Sequence, residues 1–481
     1  MAASLEEQSH NSPMKELDRI FDFQKKDFAA SPYPDARERI DNLKVLKSLM
    51  LDNRERIVEA ISEDFGCRAK SETIMCEMLV AAEGIKYAIS HLRRWMRPSR
   101  RHVGMLFKTT SAKVVYQPKG VIGIIVPWNY PLFLAIGPAI YALAAGNRVM
   151  LKMSEATPRT GALLEELVSA AFPEQVMAVI NGGPDVAAAF SAKAFDHILF
   201  TGSTNVGRLV MKAAADNLTP VTLELGGKSP TIIGPEASMD MAAERLGFTK
   251  AVNAGQTCVA PDYVMVPEGS QQEFVAAITK VFSGMYRSLA DNDDYTSIIN
   301  DRQYQRLTEL LDDAREKGGQ LIEVNPGGEK LDPERRKMPL ILVLGANDSM
   351  RLMQEEIFGP ILPVIGYSGL DAAVEFVNER PRPLALYYFG NDQASRKKVL
   401  ERTHSGGVCF NDAVFHVAID DMPFGGIGPS GMGAYHGHEG FLTFSHAKGV
   451  LSRPSLLNTS RVLHPPYGGR LQALVERLFL R

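Results

Sequence analysis

The stretch VIGIIVPWNYPLFLAIGPAIYALAAG, residues 121–146, decides how the rest of the chain is read. It is almost wholly apolar and long enough to cross a bilayer as one helix. Pro127, Pro131 and Pro138 interrupt it, and Asn129 sits at the polar break between its apolar halves. A spanning helix accommodates such breaks only where neighbours re-satisfy the freed backbone groups. The stretch therefore reads as a buried strand (121–126), a turn and a buried helix, with no membrane span.

The same texture continues outward. Short apolar runs follow at RVMLK (148–152), VMAVI (176–180), HILF (197–200) and PVTLEL (220–225), with helix candidates at 157–172, 185–192 and 205–215 between them. A second set begins after Ser229 with TIIG, VMV (264–266), ILPVIG (361–366), LALYYFG (384–390) and GGVCF (406–410). Strands alternating with helices at this spacing indicate βαβ units and parallel sheets. At 481 residues the chain exceeds one hydrophobic core, so the two α/β blocks predict two domains with a cleft between them. The first 100 or so residues read as amphipathic helices, with Ile57, Ile61 and Phe65 at spacing four among charged neighbours.

Charge and cysteine usage exclude several classes. The 53 basic and 56 acidic residues nearly balance, which argues against nucleic acid or an anionic membrane as partner. Of the four cysteines, Cys67, Cys76, Cys258 and Cys409, none forms a C-x-x-C pair or has zinc-ligand spacing to a histidine, so no metal is expected. So few cysteines fit a reducing compartment, and the start MAASLEEQSH lacks a signal peptide's basic end and apolar core; a cytoplasmic location is expected.

Three residues carry candidate chemistry. Cys258 lies in AVNAGQTCVAPDY, a loop of small and polar residues after Gly255, whereas Cys409 lies in a strand pattern. A loop thiol is accessible and is a nucleophile or a packed side chain; local sequence does not decide between them. Glu224 ends an apolar strand before Gly226 and Gly227, where α/β sheets place active groups; burial there turns a carboxylate into a general base, although a lone strand-end glutamate more often pairs with a cation. Asn129, held between Pro127 and Pro131, is either an oxyanion donor or an asparagine completing its own turn. FTGSTNVGR (200–208) places a glycine turn at a helix N-terminus, a plausible pyrophosphate site that lacks the G-x-G-x-x-G fingerprint. VMLKMSE ends a strand with Lys152 and Glu155, groups suited to ribose hydroxyls but equally to solvent.

Taken together, PWNYP, LKMSE, FTGSTNVG, LELGGKSP, GQTCVAPDY, EEIFGP (355–360) and PFGGIGPSGMGAYHG (423–437) resemble the aldehyde dehydrogenase superfamily, all in the family's order. The APDY and SGMGAYHG segments are most similar to its class 3-like branch, which includes bacterial coniferyl aldehyde dehydrogenases. The likeness runs from about Gln117 to Lys448, and departs from the commonest pattern at Met153, where proline is usual.

The resemblance implies an α/β fold of two Rossmann-like doubly wound domains plus a small oligomerisation arm. The cofactor domain would span 1–105 and 118–223, the catalytic domain 224–418, and the arm and tail 106–117 and 446–481. It implies Cys258 as nucleophile, Glu224 as general base, and Asn129 with the Cys258 backbone N–H as oxyanion donors. Lys152 and Glu155 would meet the adenosine ribose, Gly202, Ser203 and Gly207 the pyrophosphate, Glu356 and Phe358 the nicotinamide riboside, with Trp128 and Leu225 beside them. NAD is the expected cofactor because Glu155 repels a 2′-phosphate, with NADP possible if that side chain swings away.

The implied reaction oxidises an aldehyde to its acid through a thiohemiacetal and a thioester on Cys258. Tyr130, Phe133, Phe415, His416 and Phe424 suit an aromatic aldehyde of the coniferyl type, with fatty aldehydes as the alternative and ordinary core as the bland reading of each ring. A cysteine amidase is the competing enzyme class, and a CoA-acylating dehydrogenase the competing fate of the thioester. A homodimer is implied by class 3-like relatives.

Overall fold

The computed structural model describes residues 2–455 and 464–480. The opening stretch folds as strand, turn and helix: Val121–Ile125 is buried throughout, as is every residue of helix Phe133–Ala145, which Gly146 closes at φ +90°. Among the described residues no helix is long and apolar enough to cross a membrane.

In chain order, β1 (Ser99–Arg101) and β2 (Ser111–Pro118) pair antiparallel. Then β3 (Val121–Ile125), β4 (Arg148–Lys152), β5 (Met177–Ile180), β6 (His197–Thr201) and β7 (Val221–Glu224) make a parallel sheet in the order 7-6-3-4-5. Alternate residues of its strands face opposite cores. Ile122, Ile124, Val149 and Leu151 meet the helices over 36–95 and 133–171, whereas Val121, Ile125 and Met150 meet Leu17, Ile20, Phe21 and Phe190. Both faces are thus covered by helices, as a doubly wound sheet requires.

The second sheet holds β8 (Pro230–Ile233), β9 (Tyr263–Pro267), β10 (Gln320–Val324), β11 (Leu340–Leu344), β12 (Ile361–Tyr367), β13 (Ala385–Phe389) and β14 (Gly407–Phe410), in the order 10-11-12-9-8-13-14. Only β10 runs antiparallel. The short β15 (Gly431–Met432) returns to the first sheet, where Gly431 pairs with Glu224. Finally β16 (Ser445–Ser452) pairs with β2, completing a separate three-stranded sheet with β16 at its edge. Residues 456–463 and 481 of the expected arm and tail lie outside the described residues. Arg470–Phe479 is a helix.

Candidate active site

In the first sheet the chain runs from β3 outward through β4 and β5, then returns to the other side of β3 with β6. Strands diverging in this way leave a crevice beyond their carboxyl ends, the usual ligand site of an open α/β sheet. Such a crevice is present here, about 580 Å³ in volume. Residues 127–129 after β3 and 201–205 after β6 line it, joined by 224–226, Cys258, Gln303, Arg306 and 354–356 with Phe358. Cys258, Glu224 and Asn129, far apart in sequence, therefore share one chamber.

Cys258 follows a tight 3-10 turn, Val252–Gly255, in which Asn253, Ala254 and Gly255 adopt φ of 52°, 49° and 72°. A Cβ at Gly255 would lie 2.5 Å from the carbonyl oxygen of Gly359, so only glycine fits. Gln256 is fully buried and staples the loop: its Nε2 donates to the carbonyls of Asn253 and Ser297 (3.0 Å each), and its Oε1 accepts from Ile299 N–H (3.0 Å). The Asn129 side chain donates to the Gln256 carbonyl (3.2 Å), while Asn253 donates back to the Asn129 carbonyl (3.0 Å). These reciprocal bonds hold the amide of Asn129 beside the cysteine loop.

The N-terminal helices supply the backing, which the sequence motifs do not reveal. Arg68 and Glu77 form a fully buried ion pair at 2.8 Å. Arg68 also donates to the Asn129 carbonyl (3.1 Å) and lies over the Tyr130 ring, while Glu77 accepts from the N–H groups of Leu132 and Phe133. Removing one member of such a pair strands a buried charge. Arg68→Met is therefore expected to lower unfolding stability by about 3 kcal/mol or more in denaturant titration. An unchanged midpoint would show the pair to be dispensable.

The electrostatics favour protonated groups at rest. Burial, with the nearby carboxyls of Glu356 and Glu224, pushes the Cys258 thiol up to about 12, against hydrogen bonds from the N–H groups of Cys258 and Val259. Burial alone pushes Glu224 far above the carboxylate range, and neither of its oxygens has a protein partner. Glu356 rises to about 8 for the same reason, with Asp262 adding to it. Its carboxylate lies against Gly226, where a Cβ would come within 2.1 Å. Behind it, Asp262 takes the N–H of Ile357 (2.8 Å) and pairs with Lys228, whose ammonium also caps the carbonyls of Leu352 and Glu355.

The expected cofactor residues divide into two groups. Trp128, Gly202, Ser203, Leu225, Glu356 and Phe358 line the crevice. Ser203 caps helix Thr204–Ala215, accepting from the N–H of Val206, so the helix's positive end faces the cavity. A Cβ at Gly202 would strike the Phe200 ring at 2.6 Å and one at Gly207 would strike Leu225 at 2.7 Å, so both positions are packed too closely for a side chain. Phe358 stands edge-on to Trp128 at 5.3 Å with φ +52°, a strained backbone at the crevice wall. Lys152 and Glu155 end β4 outside that lining: the Lys152 ammonium donates to the carbonyls of Met153 (2.6 Å) and Gly182 (2.8 Å), and Glu155 is exposed.

The expected substrate residues also divide. Tyr130 is buried with its hydroxyl on Thr257 (2.7 Å), and Phe133 begins the buried helix. His416 and Phe424 are buried together, ring centroids 5.8 Å apart, whereas Phe415 is half exposed and stacks on Phe248. Tyr435 and His436 join this cluster although neither was singled out from the sequence; their place in the SGMGAYHG segment was the available signal.

Residues 8–450 match the model of the aldehyde dehydrogenase family. The probable coniferyl aldehyde dehydrogenase of Pseudomonas aeruginosa is 55% identical over 474 residues, covering 98% of each chain. Among solved structures, the substrate-bound AldH of Staphylococcus aureus superposes with a TM-score of 0.91 at 36% identity, covering 96% of this chain and 99% of the other. The aldehyde dehydrogenase of Mycobacterium tuberculosis, in complex with NAD+, gives 0.81 at 27% identity, covering 91% and 90%.

Proposed function

This chain belongs to the aldehyde dehydrogenase family, and from that premise we propose that it oxidises aryl aldehydes of the coniferyl type to their acids with NAD, using Cys258, Glu224 and Asn129. The observation that carries the reading is the single crevice at the sheet's switch point. It gathers the thiol, the partnerless carboxyl and the amide into a cavity that the N-terminus of helix Thr204–Ala215 also lines. A relative named for coniferyl aldehyde supports the substrate class, and a neighbour solved with NAD+ supports the cofactor.

The residues act in sequence. Cys258 releases its proton to solvent through the crevice it lines, and the thiolate sulfur adds to the carbonyl carbon, because the thiolate is the nucleophile. The Asn129 amide and the Cys258 backbone N–H meet the charge growing on oxygen; one such donor is worth roughly 3–4 kcal/mol. A bound nicotinamide dinucleotide supplies the acceptor for the hydride that leaves the thiohemiacetal. Glu224 then takes a proton from water, whose oxygen attacks the thioester carbon, and the acid leaves as Cys258 is restored. Phe358, Trp128 and Glu356 frame the chamber between thiol and cofactor turn.

A kcat/KM panel over aryl-propenals, fatty aldehydes and short aldehydes, each with NAD and NADP, tests this. Coniferyl aldehyde with NAD is expected to lead the fatty aldehydes by about tenfold or more, the scale on which a matched pocket discriminates. A lead for fatty aldehydes would overturn the substrate assignment.

The arm has its own role in this proposal. Among the described residues, β16 is an unpaired edge of the three-stranded sheet and β14 is one of the two edges of the second sheet. Free edges invite pairing with another chain, and we place the homodimer contact there. Replacing Val450 and Leu451 by proline is expected to halve the particle mass in light scattering; an unchanged mass would move the interface elsewhere.

A further inference from the structure

Buried polar groups without partners are rare, and each calls for a reason. Apart from Glu224, several of those here gather in one place. Both ring nitrogens of His436, the Tyr435 hydroxyl and Nε2 of His416 are buried without a hydrogen-bond partner. The two imidazoles pack against the same ring: Phe424 lies 5.8 Å from His416 and stacks on His436 at 5.2 Å. Tyr435 stands edge-on to His436 at 4.6 Å.

Tyr387 links this cluster to the Cys258 loop. The Tyr387 ring neighbours His416 at 6.1 Å, and its hydroxyl donates to the carbonyl of Val259, next to Cys258 (2.5 Å). The segment leading to Tyr435 is pinned at the site by the pairing of Gly431 with Glu224. Glu224 and Cys258 are near enough to raise the Tyr435 hydroxyl's pKa beyond what burial does. None of the four groups lines the crevice.

Stereochemistry then assigns the cluster an occupant. A tetrahedral carbon on Cys258 has four directions: one to sulfur, one to the oxyanion donors, and one carrying hydride towards the crevice. The fourth carries the rest of the aldehyde and, by elimination, has to leave by a side the other three do not use. We propose that His416 and His436 are specificity-determining residues that receive the phenolic hydroxyl of a 4-hydroxyaryl aldehyde. This rests on the aldehyde oxidation proposed above and deepens it.

The protonation states suit that ligand. Burial holds His416 down to about 4, and burial with the neighbouring imidazole holds His436 down to about 3, so both are neutral near pH 7. Cys409, its thiol pushed up to about 11 by burial, lies 3.2 Å from Nδ1 of His416. Nδ1 of His416 is engaged on this side, so Nε2 is left to donate or to accept according to the tautomer. Neutral His436 offers one donor and one acceptor. A phenol, which donates once and accepts once, is matched; a carboxylate finds no cation, and an alkyl chain leaves the imidazoles unpaired.

The test compares coniferyl aldehyde with 3-methoxycinnamaldehyde, which lacks only the ring hydroxyl, as substrates of the full-length enzyme with NAD. Wild-type enzyme is expected to favour coniferyl aldehyde by about tenfold or more in kcat/KM, since a site built for a hydroxyl rejects the analogue without it. In His436→Phe that preference is expected to collapse towards unity, mainly through the KM of coniferyl aldehyde, and His436→Gln is expected to recover part of it. Should His436→Phe not yield soluble protein, His416→Phe carries the same expectation. An equal fall for both aldehydes would reveal a merely structural role, and an undiminished preference would place the receptor elsewhere; either overturns the proposal while leaving aryl aldehydes as substrates. Poor turnover of both, with fatty aldehydes oxidised well, would instead sink the substrate assignment itself.

Discussion

Replacing Cys258 by alanine is expected to lower the rate of aldehyde-dependent NADH formation by at least about 10⁴-fold, the scale seen when a covalent nucleophile is removed. The loss belongs in kcat, because the crevice walls that would hold the dinucleotide, the helix N-terminus at Thr204 and the Trp128–Phe358 pair, do not depend on the sulfur. NAD binding, followed by quenching of protein fluorescence, should stay within about threefold of wild type, less than the typical energy of one lost hydrogen bond. Turnover retained in Cys258→Ala would remove the nucleophile assignment. Loss of turnover together with loss of NAD binding would point to a collapsed site. The thiol's environment adds a pH test. A group pushed up to about 12 is protonated at neutrality, and its thiolate fraction climbs with pH. Alkylation of Cys258 by iodoacetamide in the cofactor-free enzyme is therefore expected to speed up about tenfold per pH unit between 7 and 10. A rate already flat at pH 8 would mean that the thiolate is stabilised at rest.

The sequence and the structure part company along a clear physical line. The buried strands of the first sheet were legible because continuous apolar runs ended at turn residues: 121–126, 148–152 and 197–200 match β3, β4 and β6 to within a residue or so. The strand β10, QLIEV, was not, because an edge strand exposed on one side mixes polar and apolar residues without a clean period; its partner LILVL was passed over with it. Cys258, Glu224 and Asn129 were legible as loop and strand-end groups, and the crevice brings them together. Arg68, Glu77, Asn253 and Gln256 were not. They act through backbone carbonyls and N–H groups of distant segments, with Arg68 reaching Asn129 and Gln256 reaching Ser297, and no local pattern records which carbonyl a buried side chain will meet. His436 shows the intermediate case: its segment was recognised, but only burial without partners distinguishes a waiting imidazole from a packed one.

Glu224→Gln should separate the two halves of the reaction. The carboxyl is buried with both oxygens unpaired and burial raises its pKa, which favours the protonated form and makes it a stronger base once that proton leaves. Thioester formation asks nothing of it in the mechanism above; thioester hydrolysis does. Steady-state kcat is therefore expected to fall by about 10²–10⁴-fold, the usual contribution of a positioned base, while rapid mixing still shows a burst of NADH near one equivalent per active site. The sign of the pH effect follows from the raised pKa: the deprotonated fraction of Glu224 grows with pH, over a range displaced upward from that of an ordinary carboxylate, so the wild-type deacylation rate rises with pH while that of Glu224→Gln stays flat. Hydroxylamine, which attacks a thioester without needing a base, is expected to restore much of the variant's turnover. An unchanged steady-state rate would remove Glu224 from catalysis, and a burst lost in step with kcat would move its role to the acylation half, where the carboxyl would serve to deprotonate Cys258 itself.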